Sequence, residues 1–296
     1  MLSMPFRRWL PAATAAIALV LVAACNHDST APNTPALSLD EARSLGEAMT
    51  ADAQGELEGI TLSDGGGMFL PSMAATAFDG VDPTTCVPTL SPSPVVNSDG
   101  DRVPDSVEIT FPGCAFAEGA EADTIRGAID IIDPTPTVTD HAVKTVFKDF
   151  TRIEVEDGRK RSIVLNGTRQ SSRDANVISQ SETNFQTTYT FRDGGTASHT
   201  RTWAVTFTAD VPGSIQPDAP LPSGTLSING TSTWTRNANT YSLTVSTDPV
   251  LHYNASCTVR PKFDSGTVHA MVVRAGNTSN VTIQFTACGQ YTVTRS

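Results

Sequence analysis

The chain has 296 residues, 39% of them hydrophobic and 17% charged, with 31 acidic against 20 basic side chains and a formal net charge of −11. That balance excludes the basic footprint on which nucleic-acid binding depends, and the length allows one large β domain or two smaller ones with a sizeable core. The charge is uneven: residues 25–156 carry 23 Asp plus Glu against 6 Lys plus Arg, and residues 157–296 carry 8 against 12, so cations belong in the first half.

The N-terminus reads as an export signal over residues 1–24. Arg7 and Arg8 precede an apolar run from Trp9 to Ala24 that is too short to span a bilayer comfortably. The phrase Leu21-Val22-Ala23-Ala24-Cys25 resembles a bacterial lipobox, which implies cleavage before Cys25 and lipid attachment to its thiol. Acyl chains on one residue, at about 0.8 kcal/mol per buried methylene, anchor a protein without a spanning helix. Asn26 rather than Asp follows, and by the same resemblance this favours the outer membrane, facing the periplasm or the cell surface.

Residues 25–37 form a polar, Pro-containing tether with little to bury. Residues 38–105 follow as a helix and an acidic loop region. Ser38 and Glu41 have capping-box spacing, with Leu37 placed as a hydrophobic staple, so a helix starts there. Leu39, Ala42, Leu45, Met49 and Ala53 then form a core-facing stripe, and Gly55 and Gly59 mark the expected end.

In the run 97–108, counting from Asn97, side-chain oxygens from Asn97, Asp99, Asp101, Asp105 and Glu108 fall at positions 1, 3, 5, 9 and 12, with the Val103 carbonyl at 7. Hard oxygen ligands at this spacing suit calcium. The loop resembles EF-hand and thrombospondin type 3 loops, from which it departs in having Arg102 where glycine permits the turn and Pro104 where paired hands use an amide.

From residue 106 to 296 the period changes to two. Val107, Ile109 and Phe111 begin the pattern, and strands are predicted near 125–132, 142–156, 160–170, 183–192, 199–209, 225–235, 240–247, 250–259, 266–274, 280–287 and 290–295. Short turn-rich links make neighbours antiparallel. The expected fold is mainly β: a large antiparallel sheet, sandwich or open barrel, with one N-terminal helix. Alternation such as Trp203, Val205 and Phe207 buries one face and leaves a Thr, Ser and Asn face to water.

In an oxidising compartment Cys86, Cys114, Cys257 and Cys288 are expected to form two bridges. Three connectivities are open; Cys86–Cys114 and Cys257–Cys288 are preferred. The second bridge conflicts with a simple meander of the last strands, whose outer members would lie about 9.6 Å apart, beyond disulfide reach.

Most of the mature chain resembles a broad set of bacterial β-sheet lipoproteins of unknown function. The residues that carry this are the lipobox and tether, Gly127-Ala128-Ile129-Asp130-Ile131, and the ending from Phe285 to Val293. No activity comes with it. His27, His141, His199, His252 and His269 lack zinc-protease spacing, although His252 and His269 sit on strands that can adjoin, and no nucleophile elbow or phosphate loop occurs. The expected role is therefore binding or structural, at the membrane through Cys25, toward an envelope protein, glycan or lipid. The alternatives are a lipid or lipoprotein carrier, with a helical lid over a pocket lined by Phe185, Tyr189, Trp203 and Trp234, and a hydrolase with a site assembled from distant residues.

Overall fold

The computed structural model describes residues 36–64, 88–101, 103–118, 121–156, 159–216 and 219–296. Cys25, Cys86, Arg102 and the Cys114 side chain lie outside what is described, and with them the expected lipid attachment and the Cys86–Cys114 bridge.

Among the described residues the one helix, α1 (Leu39–Asp64), begins with the reciprocal cap its sequence predicts. The Glu41 amide donates to Ser38 Oγ at 3.2 Å, and the Ser38 amide donates to Glu41 Oε2 at 2.8 Å. Leu37 and Ala42 are both buried across this cap. Ala42, Leu45, Met49 and Ala53 face the core as expected, joined by Ala48, Leu57 and Ile60, whereas Leu39 is 57% exposed and does not belong to the stripe.

The helix does not end at Gly55 or Gly59. It continues through both to Asp64, and Gly59 serves an approach from the sheet rather than a cap. Arg169 Nη1 donates to the Gly55 carbonyl at 3.2 Å, and the Arg169 guanidinium fills the space a Cβ on Gly59 would occupy. The helix-propensity cost of Gly59, about 1 kcal/mol relative to alanine, is offset by the guanidinium contact it admits.

Fifteen strands make one antiparallel sheet. In chain order they are β1 (Thr89–Ser91), β2 (Ser106–Glu118), β3 (Glu121–Ile132), β4 (Ala142–Glu156), β5 (Arg159–Asp174), β6 (Val177–Glu182), β7 (Phe185–Thr190) and β8 (Thr196–Ala209). They continue as β9 (Gly224–Arg236), β10 (Asn239–Thr247), β11 (Leu251–Tyr253), β12 (Phe263–Ser265), β13 (Thr267–Arg274), β14 (Asn277–Ala287) and β15 (Gln290–Arg295). The spatial order is β1-β2-β3-β4-β5-β6-β8-β9-β10-β13-β14-β15, with β7 taking over from β6 between β5 and β8, and β11 pairing the start of β9. Helix α1 contacts β4, β5 and β6 as well as β14 and β15, so the sheet curls into a partial ring with the helix on its concave side.

Two strands differ instructively from the sequence pattern. β6 escapes a search for alternating apolar residues because its inward positions include Gln180 and Glu182, both buried. The expected strand at 250–259 stops at Tyr253, where a turn places the Cys257 amide on the Asn254 carbonyl at 3.0 Å. Beyond it β11 and β12 form a short hairpin off the main order, so β10 pairs directly with β13. This removes the meander difficulty: Cys257, in the β11–β12 loop, bonds Cys288, in the β14–β15 turn, with Cα atoms 5.6 Å apart.

The larger core joins α1 to β6–β15. A smaller one, built on Val107, Ile109, Phe111, Ile125, Ile129, Phe147 and Phe150, lies under β2–β4, and Val103 plugs it from the acidic loop. Outward positions of β8–β10 are hydroxyl-rich, with Thr202, Thr231, Thr233 and Thr244 exposed.

Candidate metal centre

The acidic loop connects β1 to β2. Its backbone is folded by its own side-chain oxygens: Asn97 Oδ1 accepts from the Gly100 amide at 2.7 Å, Asp99 Oδ1 from the Asp101 amide at 3.1 Å, and Asp101 Oδ1 from the Val103 amide at 2.7 Å. These are local turns in which a side-chain oxygen stands in for a backbone acceptor. The buried Val103 side chain then pins the loop to the smaller core.

Asp133, immediately after β3, joins this loop through hairpin register. Ser106 of β2 pairs with Ile132 of β3, so the next residue, Asp133, lies against the end of the loop, its amide 3.1 Å from the Pro104 carbonyl and 3.3 Å from that of Asp105. Asp99, Asp101 and Asp133 each present a carboxylate oxygen within 4.8 Å of the others, a group that can hold a metal ion. Asp133 is 3% exposed; its Oδ1 accepts from the Thr135 amide at 2.7 Å.

The remaining oxygens define the centre. Asp99 Oδ2, Asp101 Oδ2 and Asp133 Oδ2 are all buried without a hydrogen-bond partner, and among the described residues none of the three carboxylates is in an ion pair. Buried carboxylates without a counter-charge are expensive, and native proteins pair them or use them to coordinate metals. Burial, followed by the neighbouring charges of Asp99 and Asp133, pushes the Asp101 carboxyl above the usual carboxylate range. All three donors are hard oxygens, the set suited to calcium, magnesium or manganese rather than to zinc or copper.

The other residues expected in the loop site go elsewhere. Asp105 accepts from Ser98, at 2.7 Å from the amide and 2.5 Å from Oγ, and so closes the loop on itself. Glu108, already on β2, accepts from Lys148 of β4 at 2.7 Å, and Lys148 is also 2.7 Å from Asp130. The twelve-residue spacing therefore brings Asp99 and Asp101 together but not Glu108, because residues from 106 onward are committed to a strand. Asp133 has no local signal in the sequence, and only the β2–β3 register would have found it.

A second polar assembly lies between α1 and the sheet. Asp52 accepts from Arg201 at 2.6 Å and meets His199 Nδ1 at 2.5 Å. Glu56 accepts from Arg169 at 2.8 Å and from Arg201 at 3.0 Å, while Glu182 accepts from both arginines. All six side chains are buried. Both guanidiniums contact the ring of Phe185, their carbons 4.5 and 4.7 Å from its centroid. Burial, with help from the neighbouring charges of Glu182 and Asp52, outweighs Arg169 and Arg201 and pushes Glu56 up to about 7. Burial also acts on Asp52, but Arg201 and His199 outweigh it and hold that carboxyl below its ordinary range.

His199 shares its face with Trp203, as alternation predicts, and the rings meet edge to face at 5.6 Å. Phe185, Tyr189, Trp203 and Trp234 are packed core. His252 sits between Asp264 at 2.7 Å and Asp210 at 3.0 Å, and His269 bonds the Asp248 carbonyl at 2.8 Å; their strands, β11 and β13, do not pair. Compared with known protein families, with characterised proteins and with solved structures, this chain matches none of them.

Proposed function

We propose that the chain is a lipid-anchored protein of the bacterial cell envelope whose β domain carries a structural calcium ion at Asp99, Asp101 and Asp133 and serves a binding or structural role. The lipobox-like segment ending at Cys25 supports the anchor and the outer-membrane address. The observation that carries the calcium reading is the convergence of three buried, unpartnered carboxylate oxygens from two separate chain segments. Three carboxylates supply half of the six to eight oxygens calcium takes, leaving positions for backbone carbonyls and water; magnesium, which holds its water more tightly, is less suited to so closed a group. The ion would tie the β1–β2 loop to the end of β3 and so stiffen one end of the sheet.

Calorimetric titration of chelator-treated protein with calcium and, separately, magnesium tests this. Calcium is expected to bind with a stoichiometry of one and to raise the thermal midpoint, by about 2.7 kcal/mol of stability at 100 times its Kd. No heat and no midpoint shift at millimolar calcium would overturn the reading.

A further inference from the structure

A cavity of about 220 Å³ lies between α1, the strands β4 and β5, and the loop that the Cys257–Cys288 bridge fastens to the β14–β15 turn. Its wall is of two kinds. Ala51, Phe150, Ile163 and Leu165 give it an apolar side. Of the six arginines that line it, Arg169 and Arg201 belong to the assembly around Glu56, and Arg152, Arg161, Arg192 and Arg260 face it from β4, β5, the β7–β8 link and the β11–β12 loop. The arginines are held by carboxylates in an alternating chain. Glu58 lies 3.0 Å from Arg260 and 3.3 Å from Arg152, Glu154 lies 3.2 Å from Arg152 and accepts from Arg161 Nε at 2.8 Å, and Glu47 lies 3.7 Å from Arg161.

We infer that this cavity binds a small organic carboxylate with a short apolar body. The donor and acceptor inventory points there. A guanidinium carries five N–H donors, accepts nothing and stays charged, so guanidinium groups suit an anion and repel a cation. Glu58 and Glu154 are each already shared between two guanidiniums, and Glu58 also accepts from Gln54 at 3.3 Å. Arg260, by contrast, has a buried Nε with no partner. An incoming anion would take up the Arg260 Nε donor, whereas a cation would have to displace an arginine from its glutamate. Glu154 is held below the usual carboxylate range because Arg152 and Arg161 outweigh the effect of burial, so it stays charged and keeps those guanidiniums in place.

Size and rigidity narrow the class. At roughly 30 Å³ per water-sized group the cavity holds about seven such groups, which suits a six-carbon chain or a single ring bearing one carboxylate. The wall is fixed before any ligand arrives: the Gly289 amide donates to the Pro261 carbonyl at 2.9 Å, and the Lys262 amide donates to Gln54 Oε1 of α1 at 2.9 Å. A pre-organised site loses less freedom on binding. Partial exposure of Arg161 and Arg260, at 24% and 23%, places the opening on their side.

The test is calorimetric titration of the purified protein with hexanoate and with benzoate, using hexylamine as the cationic control. Saturable one-to-one binding of at least one carboxylate is expected, with none of the amine. Arg260→Gln should weaken it roughly tenfold, the size of one charge-assisted hydrogen bond, and Ile163→Trp, which fills the apolar side, should abolish it. Chelating calcium should leave it unchanged, which separates this site from the metal centre. No binding of either carboxylate at millimolar concentration overturns the inference, as does equal binding of hexylamine. If Ile163→Trp fails to fold, Arg260→Gln still decides: a folded Arg260→Gln protein that binds as tightly as the parent refutes the site.

Discussion

Arg201 of β8 donates to Asp52 of α1 at 2.6 Å, with both side chains almost wholly out of water. This pair lies in the contact that holds the helix to the sheet, and removing Asp52 takes one of three carboxylates from Arg201 and the carboxylate partner from His199 in a low-dielectric interior. Asp52→Ala is expected to cost about 3 to 5 kcal/mol. Asp52→Ala combined with Arg201→Met should cost less than the two single changes added together, because the two residues share one ion pair that either change alone already removes. The exposed pair Arg43–Asp40, 3.3 Å apart with side chains 75% and 93% exposed, provides the contrast: Arg43→Ala should change the urea midpoint hardly at all. Equal losses at the two pairs would refute the assignment.

Glu56 makes the same contact sensitive to pH. Its carboxyl lies at about 7 in the folded chain against an ordinary 4.5. A raised folded-state value means that the stability it contributes is complete below 4.5 and is lost as the pH rises toward and through 7. Thermal midpoints across pH 4 to 8 should therefore fall on the alkaline side. Glu56→Gln, which still presents an oxygen to Arg169 and Arg201, should flatten that fall; identical slopes in parent and variant would count against it.

The metal centre yields a comparison of two acidic residues. Asp133→Asn removes a charge from the buried three-carboxylate group that can hold a metal ion, whereas Glu108→Gln alters a carboxylate that is committed to Lys148 on the sheet surface. Calcium affinity should drop at least tenfold in the first variant, about the loss of one strong charged ligand, and stay as it was in the second. The reverse outcome would restore the contiguous twelve-residue loop as the ligand set.

The bridge between Cys257 and Cys288 closes a loop with a sequence separation of 31. On chain-entropy grounds its removal should destabilise the protein by about 3.5 kcal/mol. Cys257→Ala together with Cys288→Ala tests this without leaving a lone thiol; a midpoint equal to that of the oxidised parent would show that the bridge contributes nothing.

Cys25→Ser should abolish lipid attachment, since a hydroxyl cannot form the thioether. Metabolic labelling with a fatty-acid analogue reads this directly. Label retained on the variant would mean that the apolar N-terminus is an ordinary export signal.

Some of this molecule is written locally. Ser38 and Glu41 announce the start of the helix because a capping box needs only residues three apart. Val205 and Phe207, or Val281 and Ile283, announce strands and their buried face because side chains alternate along an extended backbone. Period and spacing are properties of a single segment, so sequence alone determined the mainly β class, the single N-terminal helix and the hydroxyl-rich outer face. Other features are properties of two segments meeting. Asp133 reaches Asp99 and Asp101 only through the pairing of Ser106 with Ile132, and Cys257 reaches Cys288 only because β11 and β12 leave the strand order between β10 and β13. Gly59 reads as a helix end until Arg169 is seen to occupy the space beside it, and β6 reads as polar loop until Glu182 is seen against Arg169 and Arg201. In each case a polar or small residue stands where the local pattern calls for something else, and the partner that makes it favourable is supplied by a distant strand through the tertiary fold.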